Sequence, residues 1–510
     1  MSIDILKEII KPSELTDRGF ISTQGIGVSL QPLPIHLIYC ILPTQDNFQT
    51  IIDNVSPYIS KFLTIHIFTF GLIPDSAIEL LKSNNQVVSK LLTLLELPLT
   101  FTIQTGDLLT LGPNFGISDI YLNQNEVKMN EISSRLRDLF LVMNDRPAIR
   151  YYKQSSMATG IANSLEKLLV SAVSARPGLG GSGSDKRRSL CLILDRSFDQ
   201  LSPFIHDLTL EAMAHDLLEV KGHVCTFKED GQTFNVKFDD NDQLWQGLRL
   251  KHIADVSNEI ATKTRDFSEK NHIQMPEGEV TVAGLRRQIA KLPTLLPEFQ
   301  KLQSFLALAS KLMDIYKTNK LKQITQAEQE FATNLSSDGN PIADNFALYY
   351  NVFEEAVCNE DKLRLVLLFA LKNNTGISYA LTDKLLTSSK IESSKQFIEA
   401  LKLINFNMVE DPSCARPAIQ RAEEDSNIST GYAHSRFVPY MWHICKGMTS
   451  QTLEEDAYPF VGERVYISAT DTTAKKAFEF GKYSARPDAN AKKNSPRLYI
   501  FVLGGTLSNA

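Results

Sequence analysis

Between residues 35 and 195, short apolar runs alternate with stretches whose apolar residues recur three and four positions apart. Ile35–Leu42 (IHLIYCIL) reads as a first buried strand, Phe48–Phe62 as an amphipathic helix, and Thr64–Phe70 (TIHIFTF) as a second strand. Asp75–Leu95 follows as a second helix and Leu99–Ile103 as a third strand. Alternation of this kind builds a parallel sheet covered by helices on both faces. A second set comprises a helix at Glu131–Met143, a strand at Ala148–Tyr152, a helix at Met157–Ala172 and a strand at Ser189–Asp195 (SLCLILD). Beyond it, the pair Ser202-Pro203 suits a helix start, with Ser at the N-cap and Pro at the first helical position.

The rest of the chain reads differently. From about residue 231 to 460 the pattern is nearly all helical, with segments such as Leu363–Leu371 and Phe397–Ile404 apolar at helical spacing. Arg497–Leu503 (RLYIFVL) is one more buried-strand run with no strand neighbour nearby in sequence. It is therefore expected to return to the second sheet and make that domain discontinuous. The chain has 510 residues, room for about three domains at roughly 150 residues each. The fold class is α/β with an all-α insertion. Its expected domains are residues 1–115, residues 116–230 together with 461–510, and a helical domain at 231–460.

Charge and cysteine usage exclude some functions. There are 53 basic and 59 acidic residues, so the basic excess of a dedicated nucleic-acid binder is absent. Six cysteines occur, none in a CxxC pair and none beside a histidine at zinc-ligand spacing, which points to a reducing compartment and no metal site. The N-terminus MSIDILKEII carries acidic residues and no long apolar core, unlike a signal peptide. Gly19–Gln45 has no Asp, Glu, Lys or Arg, but Pro32, Pro34 and Pro43 interrupt it. A spanning helix needs about 20 mostly apolar residues in a row, so membrane contact is expected only peripherally, through partners.

Several motifs look chemical. Gly178–Gly183 matches G-x-G-x-x-G, yet a helix precedes it and a strand follows, the reverse of a dinucleotide site, so it reads as a loop. Asp195, Arg196 and Asp199 lie just past a strand end, where ligands often bind. With no phosphate loop or metal cluster nearby, they read as an ion-pair and capping turn. The nine histidines are scattered singly, and His206 and His215 read as hydrogen-bonded or surface groups rather than ligands. The basic cluster Lys475, Lys476, Lys482, Arg486, Lys492, Lys493 and Arg497 has few aromatics among it and reads as a solvated loop. No catalytic, cofactor or metal residue is assigned.

One stripe stands out. Leu295, Phe299, Leu302, Leu306, Ala309, Met313 and Tyr316 are spaced alternately three and four apart, with Pro293 and Pro297 at the start. Two readings stay open: a helix packed into its own core, or a ridge for a partner helix.

Three stretches resemble one family: LILDRSFDQLSPFIHDLTLEAMAHDLLEV (192–220), LWQGLRLKHIADVS (244–257) and PRLYIFVLGG (496–505). Together with PLPIHLIYCILPT (32–44), RPAIRYYK (146–153), DKLRLVLLFAL (361–371) and RFVPYMWHICKGM (436–448), they are similar to the SM (Sec one/Munc eighteen) proteins across nearly the whole chain. The HIADVS element resembles the exocytic branch. The resemblance implies a three-domain arch, two parallel-sheet α/β domains and a large helical domain, and no catalysis. It implies a cytoplasmic protein, peripheral at the plasma membrane, that binds a syntaxin-type SNARE, a vesicle SNARE and the assembled SNARE bundle, and templates that bundle in exocytosis. It also implies that Pro293 and Leu306 belong to a hairpin contacting the vesicle SNARE, with Phe299 and Leu302 on the same seam, and that Asp195, Arg196 and Asp199 form a structural turn. Two alternatives are an endosomal or vacuolar SM-like tethering subunit and a truncated paralogue with impaired syntaxin binding. The ends depart from the family pattern. No strand is visible before Ile35 unless Ile26–Leu30 supplies it, the basic run before PLP is replaced by GIGVSLQ, and the chain stops at GGTLSNA.

Overall fold

The computed structural model describes residues 12–105, 107–111, 121, 126–180, 189–229, 231–240, 242–271, 296–342, 350–371, 378–403, 432, 434–462 and 497–505. The chain divides into two compact units, one of residues 1–195 with 447–503 and one of residues 196–446 with 504–510. Pro293 and Leu295 lie outside the described residues, as do the basic residues from Lys475 to Lys493.

The first unit holds two mainly parallel sheets and a small antiparallel pair. After the short helix α1 (Pro12–Asp17) comes β1 (Leu37–Ile41), then α2 (Gln45–Val55), β2 (Ile65–Phe70), α3 (Asp75–Ser83), α4 (Asn85–Lys90) and β3 (Leu91–Leu97). The strands pair in parallel in the order β1-β2-β3, with Leu37 opposite Ile65 and Ile67 opposite Leu94. Helix α2 starts where the Thr44 hydroxyl accepts the Asn47 N–H at 3.4 Å. Its apolar stripe of Phe48, Ile51, Ile52 and Val55 is buried with Ile65, Ile67 and Val87.

Three readings are corrected here. The second helix was expected to run to Leu95, but it ends at Lys90, and Leu91–Leu97 is the third strand of the sheet. Paired leucines satisfy both a helical and an alternating template, and the open edge of β2 decided between them. The expected strand at 99–103 instead contributes to a small antiparallel pair, β4 (Thr102–Thr105) with β5 (Leu108–Thr110). Ile26–Leu30 is not a strand; Ile26 and Leu30 pack on the core, and the Ile26 carbonyl accepts from Asn54 Nδ2 at 2.7 Å.

The second sheet is built from α5 (Glu126–Val142), β6 (Ala148–Tyr151), α6 (Ser156–Ala175) and β7 (Leu190–Asp195). All six residues of β7 are buried, as a continuous apolar run in a parallel sheet requires. The C-terminal strand does return to this sheet, where it pairs in parallel with β7, Leu498 opposite Leu190. A short strand at Phe460–Val461 pairs antiparallel with β6. Buried Arg150 secures that return: Nε donates to the Tyr458 carbonyl at 2.8 Å, Nη2 donates to the Leu453 carbonyl at 3.0 Å, and the guanidinium sits 4.8 Å from the Phe460 ring centre. In the preceding Gly-rich stretch, Gly180 has φ +82°, and a Cβ there would meet Arg146 Cβ at 3.0 Å, so glycine is required by the backbone and by close approach.

The second unit is mainly helical but opens with a three-stranded meander, β8 (Val220–Lys221), β9 (Val224–Glu229) and β10 (Gln232–Lys237). Helical pattern had been expected from residue 231. The overlooked signal was Asp230-Gly231 between alternating runs, a strong hairpin cue; Gly231 has φ +74°. Ser202-Pro203 opens only a 3-10 turn, and helix α7 (Leu210–Leu217) starts later. Then come α8 (Gln243–Leu248), α9 (Ile253–Lys270), α10 (Leu296–Thr318), α11 (Leu321–Thr333), α12 (Tyr350–Glu355), α13 (Asn359–Leu371), α14 (Tyr379–Ser388), α15 (Lys395–Leu403) and α16 (Tyr440–Ser450). Trp245 anchors the core, stacked 4.2 Å from Phe238 and 5.9 Å from Phe305 between ring centres. Residues 196–230, expected with the central α/β domain, fall in this unit.

Candidate functional site

Helix α10 carries the stripe singled out in the sequence. It lies along α9, with the Phe267 and Phe299 rings 6.4 Å apart. Phe299, Leu302, Phe305, Leu308, Ala309 and Leu312 are buried in one core with Trp245, Val256 and Ile260. Full burial of each large apolar side chain is worth about 1.5–3 kcal/mol. The structure thus places Phe299 and Leu302 inside the unit's core. Leu306 and Met313, which the alternating three-four spacing puts on the same seam, are only partly buried at its edge. The helix turns every 3.6 residues while a heptad seam assumes 3.5, so the stripe drifts by about 20° per heptad and the two sets separate. Polar contacts fix the helix from the side: Lys301 reaches Asp242 at 3.0 Å and Lys311 reaches Glu229 at 3.6 Å.

The turn after β7 has a different chemistry. Asp195 is buried and accepts the Ser155 hydroxyl at 3.0 Å, while Ser155 Oγ also accepts the Ala158 N–H and caps α6. Arg196 Nη2 donates to the Asp199 carbonyl at 2.5 Å. The buried Asp199 carboxylate accepts the N–H groups of Leu201 (3.2 Å), Ser202 (3.1 Å) and Tyr440 (3.1 Å), and the Ser202 hydroxyl. One carboxylate therefore caps a turn beside it and the start of α16, some 240 residues away in sequence. Its oxygens are occupied by backbone donors rather than turned to a ligand.

Sequence reasoning missed a third cluster. Glu328 on α11 is fully buried, and it accepts both the His206 backbone N–H at 3.0 Å and His206 Nδ1 at 2.7 Å. On the other side of the ring, Nε2 lies 3.4 Å from Asp361, 3.5 Å from Asp216 and 2.7 Å from Arg364 Nη1. Arg364 grips Asp216 with both terminal nitrogens, at 2.8 and 2.5 Å. Burial alone would lower the pKa of His206; the Glu328 charge and hydrogen bonds to Asp361 and Glu328 outweigh burial and Arg364, and push it up to about 10. Three carboxylates favour the charged imidazole, and the 2.7 Å approach of Arg364 Nη1 to Nε2 works against it. The Asp216 carboxyl is held below its usual range despite burial, because Arg364 is hydrogen-bonded to it. The signal available in sequence was an isolated Glu within the buried face of α11, which carries Ile324, Ala327 and Phe331. His215 is an ordinary packing residue, its ring 5.7 Å from Phe238.

Each of these features is explained by hydrogen bonding and packing within the fold. Their polar residues tie together segments far apart in sequence. Residues 1–506 match the Sec1 family. The chain belongs to the Sec1 family. Among its relatives, the Dictyostelium discoideum "Protein transport protein sec1" is 26% identical over 506 residues, covering 93% of this chain and 82% of that one. The Arabidopsis thaliana "SNARE-interacting protein KEULE" is 23% identical and covers 99% of this chain and 84% of its own. Of solved structures, the Unc18 of Monosiga brevicollis, crystallised as an Unc18–syntaxin 1 complex, matches with a TM-score of 0.82 at 24% identity over 98% of this chain and 86% of that one. The Sec1-family fold thus combines the mixed α/β and helical elements seen here. No described helix of this Sec1-family chain is long and apolar enough to cross a membrane.

Proposed function

We propose that this chain is a non-enzymatic SNARE regulator that binds a syntaxin-type SNARE and templates assembly of the SNARE bundle in vesicle docking, fusion and exocytosis. The observation that carries this reading is the family match over residues 1–506, joined to a fold likeness that covers 98% of the chain. Templating works by holding partner helices in register, so that less ordering entropy remains to be lost when the bundle closes. It needs no catalytic group, and the buried Asp199 and Glu328 carboxylates serve structure instead. The working division keeps each sheet of the first unit as its own domain beside the helical domain. The protein would act at the cytoplasmic side of the plasma membrane, held there by its partners.

Within the expected vesicle-SNARE contact, Leu306 is the residue with a side chain left to offer, with Met313 beside it on the half-buried edge of α10. Phe299 and Leu302 would support that edge from below, and Pro293, outside the described residues, is proposed for the start of the hairpin. The direct test is calorimetry of the full chain against a panel of full-length plasma-membrane and endosomal syntaxins. Tight binding to a plasma-membrane syntaxin is expected. Preference for an endosomal syntaxin would overturn the exocytic assignment, and binding to none would overturn syntaxin recognition.

A further inference from the structure

Helix α9 is capped by a histidine rather than by the Ser, Thr, Asp or Asn that usually serve there. His252 Nδ1 accepts the Ala254 N–H at 3.2 Å. A ring nitrogen that accepts carries no proton, so the single proton of the neutral ring sits on Nε2. That Nε2 is buried and has no hydrogen-bond partner among the described residues. Tyr432 holds the ring in place, stacked 3.8 Å away between ring centres with 5° between the planes. Its hydroxyl donates to Asp255, on the first turn of α9, at 2.5 Å. Farther along, the Arg436 and Phe437 N–H groups both donate to Gln329 Oε1 on α11 at 2.7 Å, and the Arg436 guanidinium donates to the Ser336 carbonyl. His434 lies between these two attachments, and its buried Nδ1 likewise has no hydrogen-bond partner among the described residues.

We infer that residues 432–437 are a strap clasped over the start of α9, and that acid opens it by protonating His252 and His434. A second proton on His252 must go to Nδ1, where it turns the acceptor into a donor and expels the Ala254 N–H. The cap is lost, and the new charge stands at the positive end of the helix. The groups around each ring set the balance. At His252 burial is the largest influence and opposes charge; the Asp255 and Asp207 carboxylates favour it, and His434 opposes it. At His434 burial again leads, and the cations of Lys322 on α11 and Arg436 add to it. Both pKa values are therefore lowered from 6.5. With the strap open, both rings meet water and take up protons more readily. The clasp is thus complete above 6.5 and is lost as pH falls below it.

Hydrogen exchange of the full chain at about pH 7.5 and about pH 5.5, either side of the ordinary histidine value, tests this once intrinsic rates are corrected for. Protection of the Ala254, Arg436 and Phe437 amides should fall about fivefold at the lower pH, the effect of losing one helix cap, while that of α13 holds. His252→Asn supplies a cap that does not titrate, so Ala254 should stay protected at both values. An equal loss at Ala254 in His252→Asn and in the unaltered chain, or no loss in either, overturns the inference. Should His252→Asn fail to fold, the unaltered chain decides. A loss confined to the cap and the strap, with its midpoint below 6.5, supports the clasp. A midpoint at or above that value, or an equal loss across α13, overturns it.

Discussion

The two parallel sheets of the first unit have the same sequence signature and opposite surroundings. In β7 every residue is buried, with Leu192, Ile193 and Leu194 fully so. In β1, only Leu37 and Ile41 are buried, and Ile38 stands out at 47% exposure. The histidines repeat the contrast. His66 lies on the open face of the first sheet, its ring nitrogens 2.9 Å from Thr64 Oγ1 and 2.9 Å from Thr93 Oγ1. His206 sits in a cage of Glu328, Asp361, Asp216 and Arg364. An apolar run or a histidine therefore declares a type of element or group, while its energetic weight is set by what covers it.

The largest effect is expected at the caged histidine. His206→Ala leaves Glu328 buried without its cation, and breaking a buried pair costs about 3–5 kcal/mol; chemical denaturation measures it. His66→Ala, which removes two hydrogen bonds to threonine hydroxyls at a half-buried site, should cost about 0.5 kcal/mol in the same assay. A similar loss at both sites would erase the contrast. The caged histidine also carries a pH signature. The folded pKa of His206 is raised from 6.5 to about 10, so its stabilisation is fully present below 6.5 and is lost as pH climbs toward 10. The melting temperature of the unaltered chain should approach that of His206→Ala across this window, and a constant gap would show that the imidazole is held neutral.

Next in size comes the sheet core. Leu192→Ala should cost about 3 kcal/mol, within the usual range for a fully buried leucine. Ile38→Ala, at an exposed position, should stay within about 1 kcal/mol. Equal losses would mean that β1 is covered in solution. For binding, Leu306→Ala should weaken vesicle-SNARE affinity by about 2 kcal/mol, or roughly thirtyfold, with the melting temperature little changed. Normal affinity would exclude Leu306 from the contact. The smallest effect belongs to Leu92→Lys on exposed β3, expected within about 0.5 kcal/mol of the unaltered stability.

The sequence by itself determined the alternating strands β1, β2, β6 and β7, the helices that follow β1 and β6, and the return of Arg497–Leu503 to the second sheet. Each of these rests on a local period that one face of burial imposes. It also placed Leu306 on a helix and the Asp199 turn at a strand end. Only the tertiary structure made Leu91–Leu97 a strand rather than the end of a helix, because its leucines fit both periods until β2 offered a ladder. Only the folded chain put Phe299 and Leu302 in the core and left Leu306 at its edge, since a few degrees of drift per turn is invisible in a list of positions. His206 meets Glu328 across 122 residues, and Asp199 meets Tyr440 across 241. No local pattern encodes such meetings: a buried charge finds its partner through packing in three dimensions, and the sequence shows only that each has a polar group to satisfy.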